Sequence, residues 1–469
     1  MKLTTLLSND VVHWLRRCIL LLLAGVIIAT VTQSSDAFGT DPAKADDLTE
    51  EEEDFLRTYW EQEANIPLHE ELQTRAVALA AERFGTSPQR ALYQLLVQQN
   101  IADLRSYLFN EYAAVYTDIR LDHSEKAHVT IYAKQQSQEM ERDVRRWLDD
   151  YSLGHHGKHV TFSHTDRSLT TLYDVQRGVK EYLANEREGQ KRLASTSVDR
   201  VPGHVTVTFY EWTDDQEELA DDLKERYGKA VKVSDEVTHP VQGLSCTPTD
   251  CEDEGLMRAG LQVTTPDLSG SCTSGIMMHS GLDSDEKYSI SAAHCFDEGE
   301  SIYHPEPSDS FVGGIPGGGR SGDSDSVRIY MGTNADASDF DHTRWIYENE
   351  DRQRYGVGDY SRVFEISVGD EVYQSGAASV LEMGEVVETD VDEIVCARFC
   401  VDPERGFWAD ADVRGGDSGG ATYARDGEAD AYGLISGGRH CDGGHCLHTY
   451  STYIVDVRSD HNLHVTGAE

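Results

Sequence analysis

In the stretch VRGGDSGGATY, residues 413–423, glycine and aspartate crowd a single serine, Ser418. Glycine weakens helices and strands and returns no buried side-chain area, so the stretch reads as backbone shaped around a reactive hydroxyl. A serine hydroxyl is a poor nucleophile until a base takes its proton, and that base needs a third group to hold its tautomer and stabilise the cation. Upstream, SISAAHCFD ends an apolar strand at His294, where Ala292 and Ala293 leave room and Cys295 can anchor a turn. Between the two motifs, ADASDFDHTRW offers Asp339, with Asp341 on the same strand face. Histidine, aspartate and serine together supply acyl-transfer chemistry, for which neither a metal nor an organic cofactor is expected.

The elements that must position these groups fall into two textures. Residues 47–112 carry helical periodicity: Thr49 and Glu52 form a capping box, Gly85 stops a second helix, and Ser87 with Pro88 opens a third. From 113 to 236 the pattern becomes a hairpin followed by strand-helix-strand units, with HVTIYAK at 128–134 echoed by HVTVTFY at 204–210. An α+β region with helices on one face of small sheets follows. No nucleophile with a base and orienter emerges there, and His155, His156 and His159 read as a solvated loop. Past 240, glycine and cysteine rise and short alternating segments such as SVRIYMG, AYGLISGG and YSTYIVDV recur, which predicts an all-β barrel or sandwich.

Composition bounds the surroundings. Lys2, Arg16 and Arg17 precede the apolar run CILLLLAGVIIATV and then small residues up to Ala37, the layout of a signal peptide over 1–37; a membrane anchor is the alternative. Of nine cysteines, eight lie after residue 240, which suits disulfides in an oxidising, extracellular compartment. Zinc is the competing reading for the close pairs Cys396/Cys400 and Cys441/Cys446. A net charge of -43 argues against nucleic-acid and anionic-membrane partners, and suits either plain solubility or a high-salt medium.

Standing as AAHC, SDF and GDSGG in that order, these motifs resemble the chymotrypsin-like serine peptidases, over about residues 250–465, and among them the streptogrisin and α-lytic protease branch. The resemblance implies a catalytic domain of two six-stranded antiparallel β-barrels over 241–469. His294 would be general base, Asp339 the orienter and Ser418 the nucleophile. The backbone N–H groups of Gly416 and Ser418 would form the oxyanion hole, and Ser436, Gly437 and Gly438 would pair with an extended substrate. It also implies a disulfide between Cys272 and Cys295. Asp412 stands where trypsin-like members hold a pocket-floor aspartate selecting Arg or Lys; turned to solvent, it would leave an apolar pocket. Gln374 replaces an arginine that in many bacterial members pairs with the aspartate before the serine, leaving Asp417 without an assigned partner. Ile435 replaces the histidine of glutamate-specific relatives, which disfavours that preference.

The same branch carries an N-terminal pro-region, which residues 38–240 resemble in layout. The expectation is therefore a secreted zymogen whose pro-region assists folding, occupies the active site and is removed near 236–245. Its partners would be protein or peptide substrates and its own pro-region, with no stable membrane partner. Two other classes stay open: an inactive binding relative, and a protease whose N-terminal region is a retained protein-binding domain.

Overall fold

The structure is a computed structural model that describes residues 48–468 apart from short stretches, the longest at 243–255 and 333–340. The leader, Cys246 and Cys251 lie outside the described residues. Helix α1 (Glu50–Glu63) opens with the capping box: Thr49 N donates to Glu52 Oε2 at 2.7 Å and Glu52 N to Thr49 Oγ1 at 3.3 Å. Thr74 caps α2 (Arg75–Phe84), and Gly85 ends it at φ +64°, a left-handed geometry that suits glycine. Ser87 caps α3 (Pro88–Glu111), with proline in its first turn.

Two similar units follow. In the first, β1 (Tyr116–Asp122) pairs antiparallel with β2 (His128–Ala133), and α4 (Gln138–Asp150) returns the chain to β3 (Val160–His164), parallel to β2. Helix α5 (Leu169–Glu186) leads to the second, where β4 (Ala194–Asp199), β5 (His204–Phe209), α6 (Asp214–Tyr227) and β6 (Val231–Ser234) repeat the order. The expected solvated histidine loop is instead a short 3-10 turn whose His156 is buried. His156 Nε2 donates to Ala127 O at 2.8 Å, an anchor that the local sequence does not announce.

The β region begins with β7 (Val241–Gln242) and β8 (Leu256–Ala259). A first sheet then forms from β9 (Gln262–Thr264), β10 (Ser271–Thr273), β11 (Met277–Ser280), β12 (Lys287–Ala292), β13 (Ser301–His304), β14 (Ser310–Gly314), β15 (Arg320–Ser321) and β16 (Ser326–Gly332). It runs in the order β10-β9-β13-β14-β16-β12-β11, with β15 beside β16, and curls over a core that includes Val263, Met277, Phe296, Ile302 and Ile329.

The second sheet contains β17 (Asp341–Tyr347), β18 (Arg354–Tyr360), β19 (Glu371–Ser375), β20 (Glu382–Val391), β21 (Val395–Cys396), β22 (Cys400–Val401), β23 (Gly406–Ala409), β24 (Val413–Arg414), β25 (Ala421–Arg425), β26 (Ala429–Asp442) and β27 (His445–Tyr453). The path β26-β25-β19-β20-β23-β27 is closed by the β26–β27 pairing, giving a six-stranded barrel without a free edge in the ring. Helix α7 (Ile454–His461) carries the chain back to β28 (Leu463–Val465), which pairs with β11 of the first sheet and so ties the two together.

The N-terminal helices share a core with the barrels. Ala76, Ala80, Ala91 and Leu95 pack with Ile276, Tyr373, Tyr423 and Leu434. Gln98 pairs both ways with the Glu371 backbone, accepting from N at 2.8 Å and donating to O at 2.9 Å. Arg105 forks onto Asp370 through Nη1 at 2.5 Å and Nη2 at 2.7 Å, both side chains fully buried. In the second unit, Asp392 N donates to Thr196 O at 3.1 Å, so β4 continues onto the end of β20.

Candidate active site

Strand β12 is buried from Tyr288 onward, and its end delivers Ala293 and His294 into a turn. Cys295 is bridged to Cys272 on β10, with 6.5 Å between their Cα atoms, which pins that turn to the neighbouring strand. Because β12 runs antiparallel to β16, with Ala292 opposite Ser326, the residue before β16 meets the residues after β12. That residue is Asp325. Its carbonyl accepts from Ala293 N at 3.1 Å, its Oδ1 from His294 N at 3.0 Å, and its Oδ2 lies 2.7 Å from His294 Nδ1. Both side chains are completely buried. A carboxylate can only accept, so Nδ1 carries the proton and Nε2 is left as the basic lone pair. Nε2 is itself buried and makes no hydrogen bond among the described residues.

Asp339, expected as the orienter, lies outside the described residues. Among the described residues the carboxylate on Nδ1 is that of Asp325, which is therefore the candidate orienter. The available signal was SDS set immediately before the alternating strand VRIYMG.

Ser418 is fully buried in the loop between β24 and β25. Gly416 has φ +108° and Gly419 φ +93°, both in the region that favours glycine. Thr273 holds this loop from the first sheet: its N donates to Ser418 O at 2.8 Å and its Oγ1 to Gly416 O at 2.6 Å. A Cβ on Gly419 would sit 2.3 Å from Thr273 O and 3.0 Å from Ala292 N, so the nucleophile loop presses on the strand end that carries His294. Thr273 neighbours Cys272, whose bridge runs to Cys295; one short strand thus couples the serine loop to the histidine turn.

The partners of Asp417 are three backbone N–H groups and the side chain of Ser379. Oδ1 accepts from Ala378 N at 2.8 Å and Ser379 N at 3.0 Å, and Oδ2 from Arg414 N at 2.7 Å. Burial pushes its pKa up, and these hydrogen bonds, from the N–H groups and from the Ser379 side chain, oppose the shift by favouring the charged form. Gly376 makes room, since a Cβ there would lie 2.2 Å from Asp417 Oδ1. Gln374 has a different job, accepting from Thr449 Oγ1 at 2.9 Å.

Ser436, Gly437 and Gly438 lie together on β26. Gly438 is opposite Thr449 on one side and Gln242 of β7 on the other. Asp412 is half exposed, its Oδ2 lying 2.9 Å from His445 Nε2. Beside it Cys441 and Cys446 form a disulfide. The sulfurs and imidazole of Cys272, Cys295 and His294 cluster within 4.8 Å, but that pair of sulfurs is bonded to itself and offers no thiolate to a metal.

No family model and no curated protein matches the sequence. Among solved structures, Thermobifida fusca protease A is 22% identical with a TM-score of 0.34, over 45% of this chain and 98% of its own. Nocardiopsis protease is 19% identical with a TM-score of 0.35, over 44% and 97%. Cellulomonas bogoriensis chymotrypsin is 19% identical with a TM-score of 0.33, over 45% and 97%. The β region thus sets a histidine at the strand end of a curled sheet beside a serine on a closed six-stranded barrel.

Proposed function

We propose that the chain is the precursor of a secreted serine endopeptidase, and that Ser418, His294 and Asp325 carry its chemistry. The observation that supports this most is the buried contact of His294 Nδ1 with Asp325 Oδ2 at 2.7 Å, which fixes the tautomer a general base needs. Ser418 Oγ attacks the scissile carbonyl while Nε2 of His294 takes its proton. The tetrahedral oxyanion is held by the N–H groups of Gly416 and Ser418, and His294 returns the proton to the leaving amine. Water then enters and attacks the acyl-serine as His294 takes its proton, and His294 passes that proton to Ser418 Oγ as the ester breaks, restoring the free enzyme. Asp325 does not change protonation; it stabilises the imidazolium.

Ser436 to Gly438 bind extended substrate by strand addition. Strand β7 occupies that edge against Gly438, as the end of an inhibitory pro-region would. Disulfides at Cys272–Cys295 and Cys441–Cys446 support export to an oxidising compartment. Residues 38–240 act as pro-region in this reading. The core that α2 and α3 share with the barrels favours a second one, in which the N-terminal region stays attached after activation.

A fluorophosphonate probe tests the catalytic assignment. The folded, processed protein should gain one label by intact mass and the Ser418→Ala protein none; an equal label on both, or no label on any folded, mature form of the wild type, removes the peptidase reading.

A further inference from the structure

Resting on the peptidase reading above, we infer that Thr273 is a positioning residue for the reaction: its side-chain hydroxyl and its backbone N–H hold the carbonyls of Gly416 and Ser418, and so fix the two N–H groups that receive the oxyanion. Gly416 carries the first of those N–H groups at φ +108°, and without a Cβ it can turn its peptide plane over at little steric cost. An oxyanion hole has to be set before charge develops in it. Something outside the glycine must therefore hold the loop.

The bonds around the nucleophile supply that hold. Thr273 Oγ1 donates to Gly416 O at 2.6 Å, while Asp417 N, at the other end of the same peptide plane, donates to Arg414 O at 3.1 Å. Asp417 O accepts from Gly420 N at 2.8 Å, and because a trans peptide points its N–H and C=O in opposite directions, Ser418 N is turned away from that contact. Ser418 O then returns to Thr273, accepting from its N at 2.8 Å. Three successive carbonyls are thereby engaged, two of them by one residue.

Thr273 is itself fully buried, and its hydroxyl is used in both directions. Oγ1 accepts from Ala377 N at 3.0 Å, and the next two N–H groups of that turn, those of Ala378 and Ser379, are the ones on Asp417 Oδ1. The Thr273 carbonyl accepts at 2.8 Å from Ser291 Oγ, near the end of the strand that leads to His294. The loop of the nucleophile, the turn that binds Asp417 and the strand of the base all meet on this threonine. A valine there would keep the shape while leaving a buried acceptor and a buried donor unmet, and a serine would keep both bonds.

Kinetics on the mature protein test this, with an unrelated protease used to open the chain where a variant does not mature unaided. Thr273→Val should lower kcat by about 100-fold with KM little changed, because the interaction lost acts on the transition state. The affinity of a peptide boronic acid, whose adduct with Ser418 places an oxygen among these donors, should fall by a similar factor. Thr273→Ser should stay near the wild type in both. Should valine prevent folding, Thr273→Ala against Thr273→Ser gives the same comparison, since alanine loses the hydroxyl and serine keeps it. Unchanged kcat in a folded variant without the hydroxyl, a loss carried by KM alone, or a serine variant as impaired as the one lacking the hydroxyl would each overturn the inference, while labelling of the wild type by the fluorophosphonate leaves the peptidase reading intact. A mature wild type that takes no label sinks that reading, and the inference with it.

Discussion

Asp325 and Asp339 can be separated at single-residue resolution. Asp325→Asn keeps the shape of the site but offers Nδ1 the wrong partner, so kcat should fall by about ten-thousand-fold with KM little changed, whereas Asp339→Asn should leave both constants as they are. Steady-state kinetics on any cleaved peptide decides it. His461 supports the same corner: its Nε2 lies 2.8 Å from Ser326 Oγ, next to Asp325, and burial depresses its pKa to about 4. Unfolded, it would take a proton near pH 6.5, so the unfolded chain binds more protons than the native one between those values. Stability is therefore lost as pH falls from about 6.5 to about 4, by up to about 3 kcal/mol. Urea melts of Ser418→Ala with and without His461→Gln should show that loss shrinking in the double variant. His294 and Ser418 are legible because each sits in a dense motif of small residues that packing does not explain. Asp325 is not, since small-Asp patterns recur in an acidic chain and the deciding fact is that Ala292 pairs with Ser326 across two strands.

At the scale of elements, α3 is held on the closed barrel by a buried ion pair. Arg105→Met leaves Asp370 charged and unpaired, which should destabilise the precursor by about 3–5 kcal/mol, while Arg105→Met with Asp370→Leu should recover most of it. Denaturant melts in the Ser418→Ala background measure both, and equal losses in the single and double variants would show that the pair has no mutual dependence. The Cys272–Cys295 bridge closes a separation of 23 residues, so replacing both cysteines by alanine should cost about 3 kcal/mol and loosen the turn that carries His294. Helix ends were readable because capping is local: Thr49 with Glu52, Gly85, and Ser87 with Pro88 announce boundaries through neighbours a few residues away. Strand partners were not. The closure of β26 on β27 and the meeting of β4 with Asp392 join residues far apart in sequence, and alternation indicates a strand's faces without naming its neighbour.

Over the whole molecule, 84 acidic residues face 41 basic ones, while some of the arginines that join the N-terminal region to the barrels are removed from solvent. Arg105 with Asp370, and Arg200 with Asp390 at 3.0 Å, are fully or almost fully buried, so salt screens them weakly. The excess carboxylates are chiefly exposed, and their mutual repulsion opposes compactness over a range that shrinks from about 10 Å at 0.1 M salt to about 3 Å at 1 M. Salt therefore removes repulsion while leaving these docking pairs largely in place. The uncut precursor, as Ser418→Ala, should melt at a higher temperature in 1 M than in 0.1 M sodium chloride, by about 2–4 °C for each kcal/mol of repulsion relieved. After the chain is cut near 236–245, the same balance should make the N-terminal region harder to separate from the barrels at high salt, and size-exclusion chromatography of the cut mixture reads this directly. Easier separation at high salt would mean that exposed ion pairs, not the buried arginines and the shared core, hold the two parts together.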